Sequence, residues 1–348
     1  VDFFVSRSRK NIVNQLGAQL EVPKVEAERH LIALMEQTEQ WVAQRKSQED
    51  AEETPQAVEI SQEERHEAML FLTQENLTQA ILKDMQAMGY VGEDNAKLLG
   101  YLISISRRLE KPLSGIVLSQ SGAGKSSLTE LIEALTPPED VVLFSRLSPQ
   151  ALYWMERTAL KRKLLILEER VGAIDADYSI RVLQSRAKLT QAVVIKDPQT
   201  GKMSTKTFVV EGPIAYLETT TDHRINHENA TRCFELHLDE SANQTRRIQD
   251  FQRSSRLASK RDRRKNTEDI KRRHHNAQRL LEPVLVFIPY AELLEFPSKW
   301  LRTRRDNERF LCLIEAVTFL HQFQRERGET EDGTPYVMAH LEDYKIAY

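Results

Sequence analysis

Residues 114–128 of this 348-residue chain read Ser-Gly-Ile-Val-Leu-Ser-Gln-Ser-Gly-Ala-Gly-Lys-Ser-Ser-Leu, and no other stretch restricts the fold as much. A short apolar run leads into small residues, and Gly-Lys-Ser then opens an amphipathic segment. That order predicts strand, loop and helix. Such a loop aims backbone N–H groups at an anion, and the helix N-terminus reinforces them. The residues placed to hold phosphates are Ser119, Gly122, Ala123, Gly124, Lys125, Ser126 and Ser127, with the Ser126 hydroxyl on Mg²⁺. The first glycine of the usual G-x-x-x-x-G-K-[ST] pattern is Ser119 here. It falls at the strand-to-loop turn, away from the backbone that would wrap the phosphates.

With 40% hydrophobic and 29% charged residues, the chain reads as globular rather than disordered. No apolar run is long enough for a membrane span and no signal peptide is visible, so no membrane partner is expected. Cys233 and Cys312 each lie in an apolar segment, which favours buried thiols in a reducing, cytoplasmic setting over a disulfide. The first residue is Val1, compatible with a piece of something longer. Between Arg246 and Arg279 stand 13 Lys/Arg and 4 Asp/Glu, a local balance of +9 in a chain of net charge −3. An acidic body with one basic arm calls for an anionic partner for that arm.

Along the chain, residues 1–46 show helical spacing and are expected to form a small helical collar. Residues 47–67 are acidic, lack large apolar side chains except at Val58 and Ile60, and read as a solvated linker. An α/β core is expected over 68–240, with helices up to Glu110, then strands at 114–118, 141–144 and 164–167. Helices are expected between them at 126–135, at 149–160 and from about 176 to 189. This alternation implies a parallel sheet covered on both faces. Residues 191–196 and 203–210, joined through Asp197-Pro198-Gln199-Thr200-Gly201-Lys202, predict a β-hairpin. Strands at 214–217 and 233–238 follow. A basic helical lid and a helical or winged module are expected over 241–327, and a loosely ordered tail over 328–348.

The chemistry is expected at the strand ends. Glu168 and Glu169 follow the apolar run 164–167, 43 residues after Lys125. Glu168 is placed for the Mg²⁺ shell and Glu169 for polarising a water against a γ-phosphate. Thr219, Thr220 and Thr221 offer a polar strand tip, with no choice among them possible from sequence. Arg232 directly precedes the last strand, where a guanidinium can reach the nucleotide of a neighbouring subunit. Arg224 and Arg246 compete for related roles. Lys196, Lys202 and Lys206 on the hairpin could grip a phosphate backbone without reading sequence. Asp175-Ala176-Asp177 could suggest a metal-dependent nuclease or primase, but Asp175 reads better as a helix cap.

Taken together, Lys97–Leu102, Arg107–Leu113, Gly122–Leu128, Lys196–Lys202, Val210–Pro213, Thr219–Thr221, Asp239–Ser241, His275–Leu281 and Asn307–Leu311 resemble the helicase part of phage and mobile-element primase-helicases. The resemblance covers about residues 65–327. It implies an AAA+ ATPase with a pre-sensor hairpin, similar to superfamily 3 and minichromosome maintenance helicases. It further implies a hexameric ring moving on single-stranded or forked DNA with ATP and Mg²⁺. By motif, Lys125 and Ser126 would bind phosphate and Mg²⁺ and Glu168 with Glu169 would form the Walker B pair. The threonine tip would be sensor 1, and Arg232 the finger in trans. The zinc-finger and toprim signatures of that family are missing, so priming would come from a domain upstream or in trans. Arg170-Val171 also departs from the acidic residue expected there. The alternatives are an AAA+ loading or remodelling ATPase that does not unwind, and a small-molecule P-loop kinase.

Overall fold

The computed structural model describes residues 12–15, 23–34, 37–38, 41, 58–148, 150–169, 176–196, 203–222, 227–257 and 263–348. Lys202, Arg224, Arg170, Val171 and Asp175 lie outside them. The chain divides into two units, Val1–Glu59 with Gln191–Phe208, and Ile60–Thr190 with Val209–Tyr348. In the first, residues 12–15 and 24–34 are helical, and Val13, Ala27 and Leu31 bury one another beside Ile12.

The second unit starts with α1 (Gln62–Thr73), and here the acidic linker ends earlier than its composition predicts. Ser61 and Glu64 form a reciprocal capping box: Glu64 N–H donates to Ser61 Oγ at 3.2 Å, and Ser61 N–H to Glu64 Oε2 at 3.1 Å. That S-x-x-E signal satisfies two helix-end donors and overrides the polar composition around it. Two further helices follow, α2 (Leu77–Met88) and the almost wholly buried α3 (Asp94–Ser106).

Five strands form the central sheet: β1 (Ser114–Leu118), β2 (Val141–Phe144), β3 (Lys163–Leu167), β6 (Ile214–Thr220) and β7 (Phe234–His237). Their order is β2-β3-β6-β1-β7, and every neighbouring pair is parallel. The helix α4 (Lys125–Leu135) follows β1, and α5 (Asp177–Arg186) follows β3. Alternation within the strands builds two cores. Val117, Leu164, Ile166, Ala215 and Leu217 face the layer made by α1–α4 and the later helices. Ile116, Leu118, Leu165, Leu167 and Tyr216 face Leu152, Leu160 and α5. Burial on both sides explains why these strands are continuous apolar runs.

Two local expectations fail in the region after β2 and β3. The helix expected over 149–160 is a short 3₁₀ turn, Ala151–Trp154, followed by turns up to Arg162. Leu152 and Leu160 are fully buried at helical spacing, but Arg162 takes φ 58°, and Arg157 O accepts from Glu211 N–H at 2.7 Å. Those long-range contacts hold a loop where periodicity alone implies a helix. Likewise α5 stops at Arg186, because Ala187 turns left-handed (φ 49°) and its carbonyl accepts from Gly212 N–H at 2.7 Å. The hairpin strands are therefore longer than expected, β4 (Lys188–Lys196) and β5 (Met203–Glu211), and they pair in a sheet of their own.

After β7 come α6's successors in the chain: with the four-residue α6 (His227–Ala230) already passed, α7 (Ala242–Ser254) and α8 (Arg263–Leu280) carry the basic arm. Over the second half of α8 the positive charge is met within the protein. Arg272 faces Glu64 and Asp269, Arg273 pairs with Asp84 at 2.6 Å, and Arg279 with Glu139 at 2.7 Å. The anionic partner predicted for this stretch is, for these residues, the acidic body itself.

The C-terminal module contains β8 (Leu285–Phe287), α9 (Thr303–Leu320), β9 (Arg327–Glu329), β10 (Pro335–Met338) and α10 (Leu341–Ala347). Its sheet runs β8-β10-β9, parallel then antiparallel. The tail expected to be loose is thus built into the fold. Asp343, fully buried, accepts from Arg325 Nε at 2.9 Å, Thr318 Oγ1 at 3.1 Å and His340 N–H at 2.8 Å. A polar anchor of this kind leaves no apolar periodicity to read. Cys233 and Cys312 are buried and not joined in a disulfide, and among the described residues no helix is long and apolar enough to cross a membrane.

Candidate functional site

At the carboxyl end of β1 the chain enters the glycine-rich loop. Gly122 (φ 85°) and Gly124 (φ 100°) both occupy left-handed conformations, which cost a side chain about 1 kcal/mol or more. Gly124 is the N-cap of α4 and supplies no side-chain cap, so the first N–H groups of the helix remain available to an anion. Lys125 Nζ bridges the loop, donating to Ser119 O at 2.7 Å and Gln120 O at 2.8 Å. Tyr90 OH reaches Gly124 O at 3.4 Å from below.

Ser119 is buried beneath the loop rather than lining it. Its hydroxyl accepts from Leu238 N–H at 3.0 Å and donates to Leu118 O. It thereby ties the exit of β1 to the residue just after β7, a task glycine cannot perform. Next to it, Gln120 N–H donates to Glu240 Oε1 at 2.8 Å.

The strand order brings four strand ends to one cavity of about 570 Å³. The loop and Ser126 line one side. Ser145 arrives from β2, Glu168 and Glu169 from β3, and Thr219, Thr220 and Thr221 from β6, with Glu130 on α4. Ser145 Oγ donates to Glu168 Oε2 at 2.8 Å, which fixes that carboxylate in the cavity. Thr219 Oγ1 donates to the Glu168 carbonyl, whereas Thr220 Oγ1 accepts from Asp222 N–H at 3.0 Å. Thr221 is exposed just past the strand. Glu169 is exposed to the cavity, with no hydrogen-bond partner among the described residues.

The local field is acidic. Burial first, then the Glu168 and Glu130 carboxylates, push the Glu133 carboxyl above its ordinary range. A divalent cation would offset that field. Among the described residues no group of three or more His, Cys, Asp and Glu has metal-binding geometry. Mg²⁺ does not need one, because it keeps waters and takes one or two protein ligands beside phosphate oxygens. Ser126 and Glu168 in one cavity fit that requirement. The arrangement can therefore hold a phosphate-bearing anion with its cation and present Glu169 to a water.

Other expected residues lie elsewhere. Ala123 lines an adjoining depression of about 360 Å³ with Gln120, Asp239, Glu240 and α7, and Ser121 and Gly122 border both it and the main cavity. Arg246 is exposed and folds back, its Nε donating to Ala242 O at 3.3 Å, so it does not line the main cavity. Arg232 stands at the opposite end of the sheet, where β1 and β7 begin; its Nη1 donates to Ser185 Oγ at 2.5 Å. Lys206 is exposed on β5 with its ammonium 5.3 Å from the Phe208 ring centroid, and Lys196 ends β4. Sequence reading missed Ser145 and Glu130. Ser145 had a usable signal, since it directly follows the apolar run next to β3; Glu130 had its position four residues after Ser126 on one helix face. No family model and no curated protein matches this chain.

Proposed function

We propose that the chain is an ATP hydrolase of the AAA+ kind that acts as a DNA translocase or helicase in a homo-oligomeric ring, six-membered as in the family it resembles. The observation that carries the reading is the convergence of the Gly-Lys-Ser loop, Glu168, Glu169 and the threonine tip on one cavity. Further support comes from β6, inserted between β1 and β3, and from the hairpin that precedes it.

In this reading the phosphates of ATP take the loop N–H groups, and Lys125 leaves the Ser119 and Gln120 carbonyls for the β- and γ-phosphate oxygens. Ser126 and Glu168 would hold Mg²⁺, which when bound would supply charge neutralisation at the phosphates. Ser145 keeps Glu168 aimed through its 2.8 Å hydrogen bond. Glu169 orients and deprotonates the attacking water, while Thr219 fixes the backbone that carries the two glutamates. Arg232, at the far end of the sheet, acts on the nucleotide of a second copy. Lys196, Lys202 and Lys206 hold the DNA backbone and carry the motion to the strand.

Turnover of ATP by the purified chain, with and without single-stranded DNA, tests this. Lys125→Ala should lower turnover by about 100-fold or more. Glu169→Gln should do so by about 10²–10⁴-fold while leaving nucleotide binding intact. Unchanged turnover in both variants removes the reading. DNA-stimulated turnover without displacement of a paired strand reduces it to a loading or remodelling ATPase.

A further inference from the structure

A second cavity, of about 310 Å³, opens at the amino-terminal ends of β1 and β7. Arg232 reaches it from the core, and Arg305 and Arg309 from the first turns of α9. Arg305 Nη1 donates to Thr231 Oγ1 at 2.5 Å, and Arg309 donates to the Cys233 carbonyl and the Asp306 carboxylate. Lys111, also on the wall, is neutralised by Glu308. Neither Arg232 nor Arg305 forms an ion pair among the described residues. Moreover, Arg232 Nε and Arg309 Nε are buried donors with no partner. Arg232 feels only the Glu228 carboxylate, which is already paired with Arg181. Two guanidiniums without an ion pair of their own and two orphaned N–H groups in one cavity are costly without an anion to receive them. The mutual repulsion is felt: burial, then Arg305 and Arg181, lower the Arg232 pKa from its ordinary value.

From these groups we infer that Arg232, Arg305 and Arg309 form one receptor for phosphoryl oxyanions, contributed jointly by the core and the C-terminal module. Its ligand is the terminal phosphates of a nucleotide seated on the Ser119–Ser127 loop of a second copy. This assignment of the source rests on the function proposed above. The chain's own loop cannot be served, since it lies at the other end of β1, five residues long and so roughly 13 Å away before the loop begins. Arg305 and Arg309 thus add to the Arg232 already expected, and α9 becomes part of the nucleotide site of a neighbour.

Two measurements test this separately. In a Lys125→Ala background, which disables the loop, tripolyphosphate should raise the melting temperature, and adding Arg305→Ala should abolish the rise. No rise in the first protein, or an equal rise in the second, overturns the receptor whether or not the chain hydrolyses ATP. A rise given by an oligonucleotide and not by tripolyphosphate also overturns it, in favour of a nucleic-acid site. For the trans arrangement, Arg305→Ala and Lys125→Ala should each lose turnover, Arg305→Ala by about 10³-fold with nucleotide binding kept. A 1:1 mixture should recover about a quarter of wild-type activity, the share of head-to-tail interfaces that join an intact loop to an intact pocket. That recovery also shows that both variants fold. Wild-type turnover with an active Arg305→Ala, or a mixture without recovery, sinks the inference alone; no wild-type turnover sinks the function and leaves the anion measurement to decide the receptor.

Discussion

At Ser119 a departure from the expected loop pattern has a structural reason. The hydroxyl satisfies Leu238 N–H at 3.0 Å in a buried setting, so glycine at that position would leave a backbone donor unpaired. A lost partner for a buried group costs roughly 1–3 kcal/mol. Ser119→Ala should therefore lower stability by about that amount, read from urea midpoints at unchanged m-value. Turnover should stay within a few-fold, because the residue lies under the loop and not in the cavity. A variant as stable as the parent would show that the hydroxyl does not tie β1 to β7. The threonine tip is also sharpened at this scale. Thr219 holds the Glu168 carbonyl and Thr220 the turn at Asp222, two different tasks that three identical letters in a row could not separate.

Between elements, ionic and polar ties do much of what apolar periodicity does within them. Arg107, fully buried at the end of α3, donates to Asp140 at 2.7 Å and to Gln278 of α8 at 2.7 Å, so one guanidinium joins three parts of the core. Glu315 on α9 is the opposite case, a half-buried carboxyl. Burial first, with Lys111 opposing and Glu308 and Glu110 adding to it, moves its pKa up to about 6 from 4.5. Below about pH 4.5 the group is protonated in both states and makes no difference. As pH rises toward 6 the unfolded chain releases its proton first, so stability falls, and above that the loss is constant at about 2 kcal/mol. Glu315→Gln should consequently match the parent near pH 4 and exceed it by up to about 2 kcal/mol near pH 7.5. Chemical denaturation at the two pH values checks this, and a gain independent of pH would assign the effect to packing instead.

Across the whole molecule, the sequence was most legible where structure is local. The runs at 114–118 and 164–167 are strands because they are buried on both faces, and the Gly-Lys-Ser loop fixes its own helix start. The 150–162 loop, the end of α5 and the C-terminal sheet were not legible, since Arg157–Glu211, Ala187–Gly212 and Arg325–Asp343 are contacts between distant or weakly patterned residues. The same distinction applies to the site. Spacing predicts the glutamates and the loop, but only the strand order brings Ser145 and the threonines to them and sends Arg232 to the opposite end. That separation has a consequence for assembly. If Arg232 and the loop serve one reaction, they must come from different copies, and a contact joining one face to a different one continues head to tail until it closes. Light-scattering mass with a non-hydrolysable ATP analogue and Mg²⁺ should thus give a multiple of the 40.2 kDa chain. Arg232→Ala/Arg305→Ala should shift that mass toward the monomer at low protein concentration, with nucleotide still bound. A monomeric wild-type protein saturated with the analogue would exclude the shared site and the ring together, and leave the loop and its glutamates to a self-contained phosphoryl-transfer enzyme.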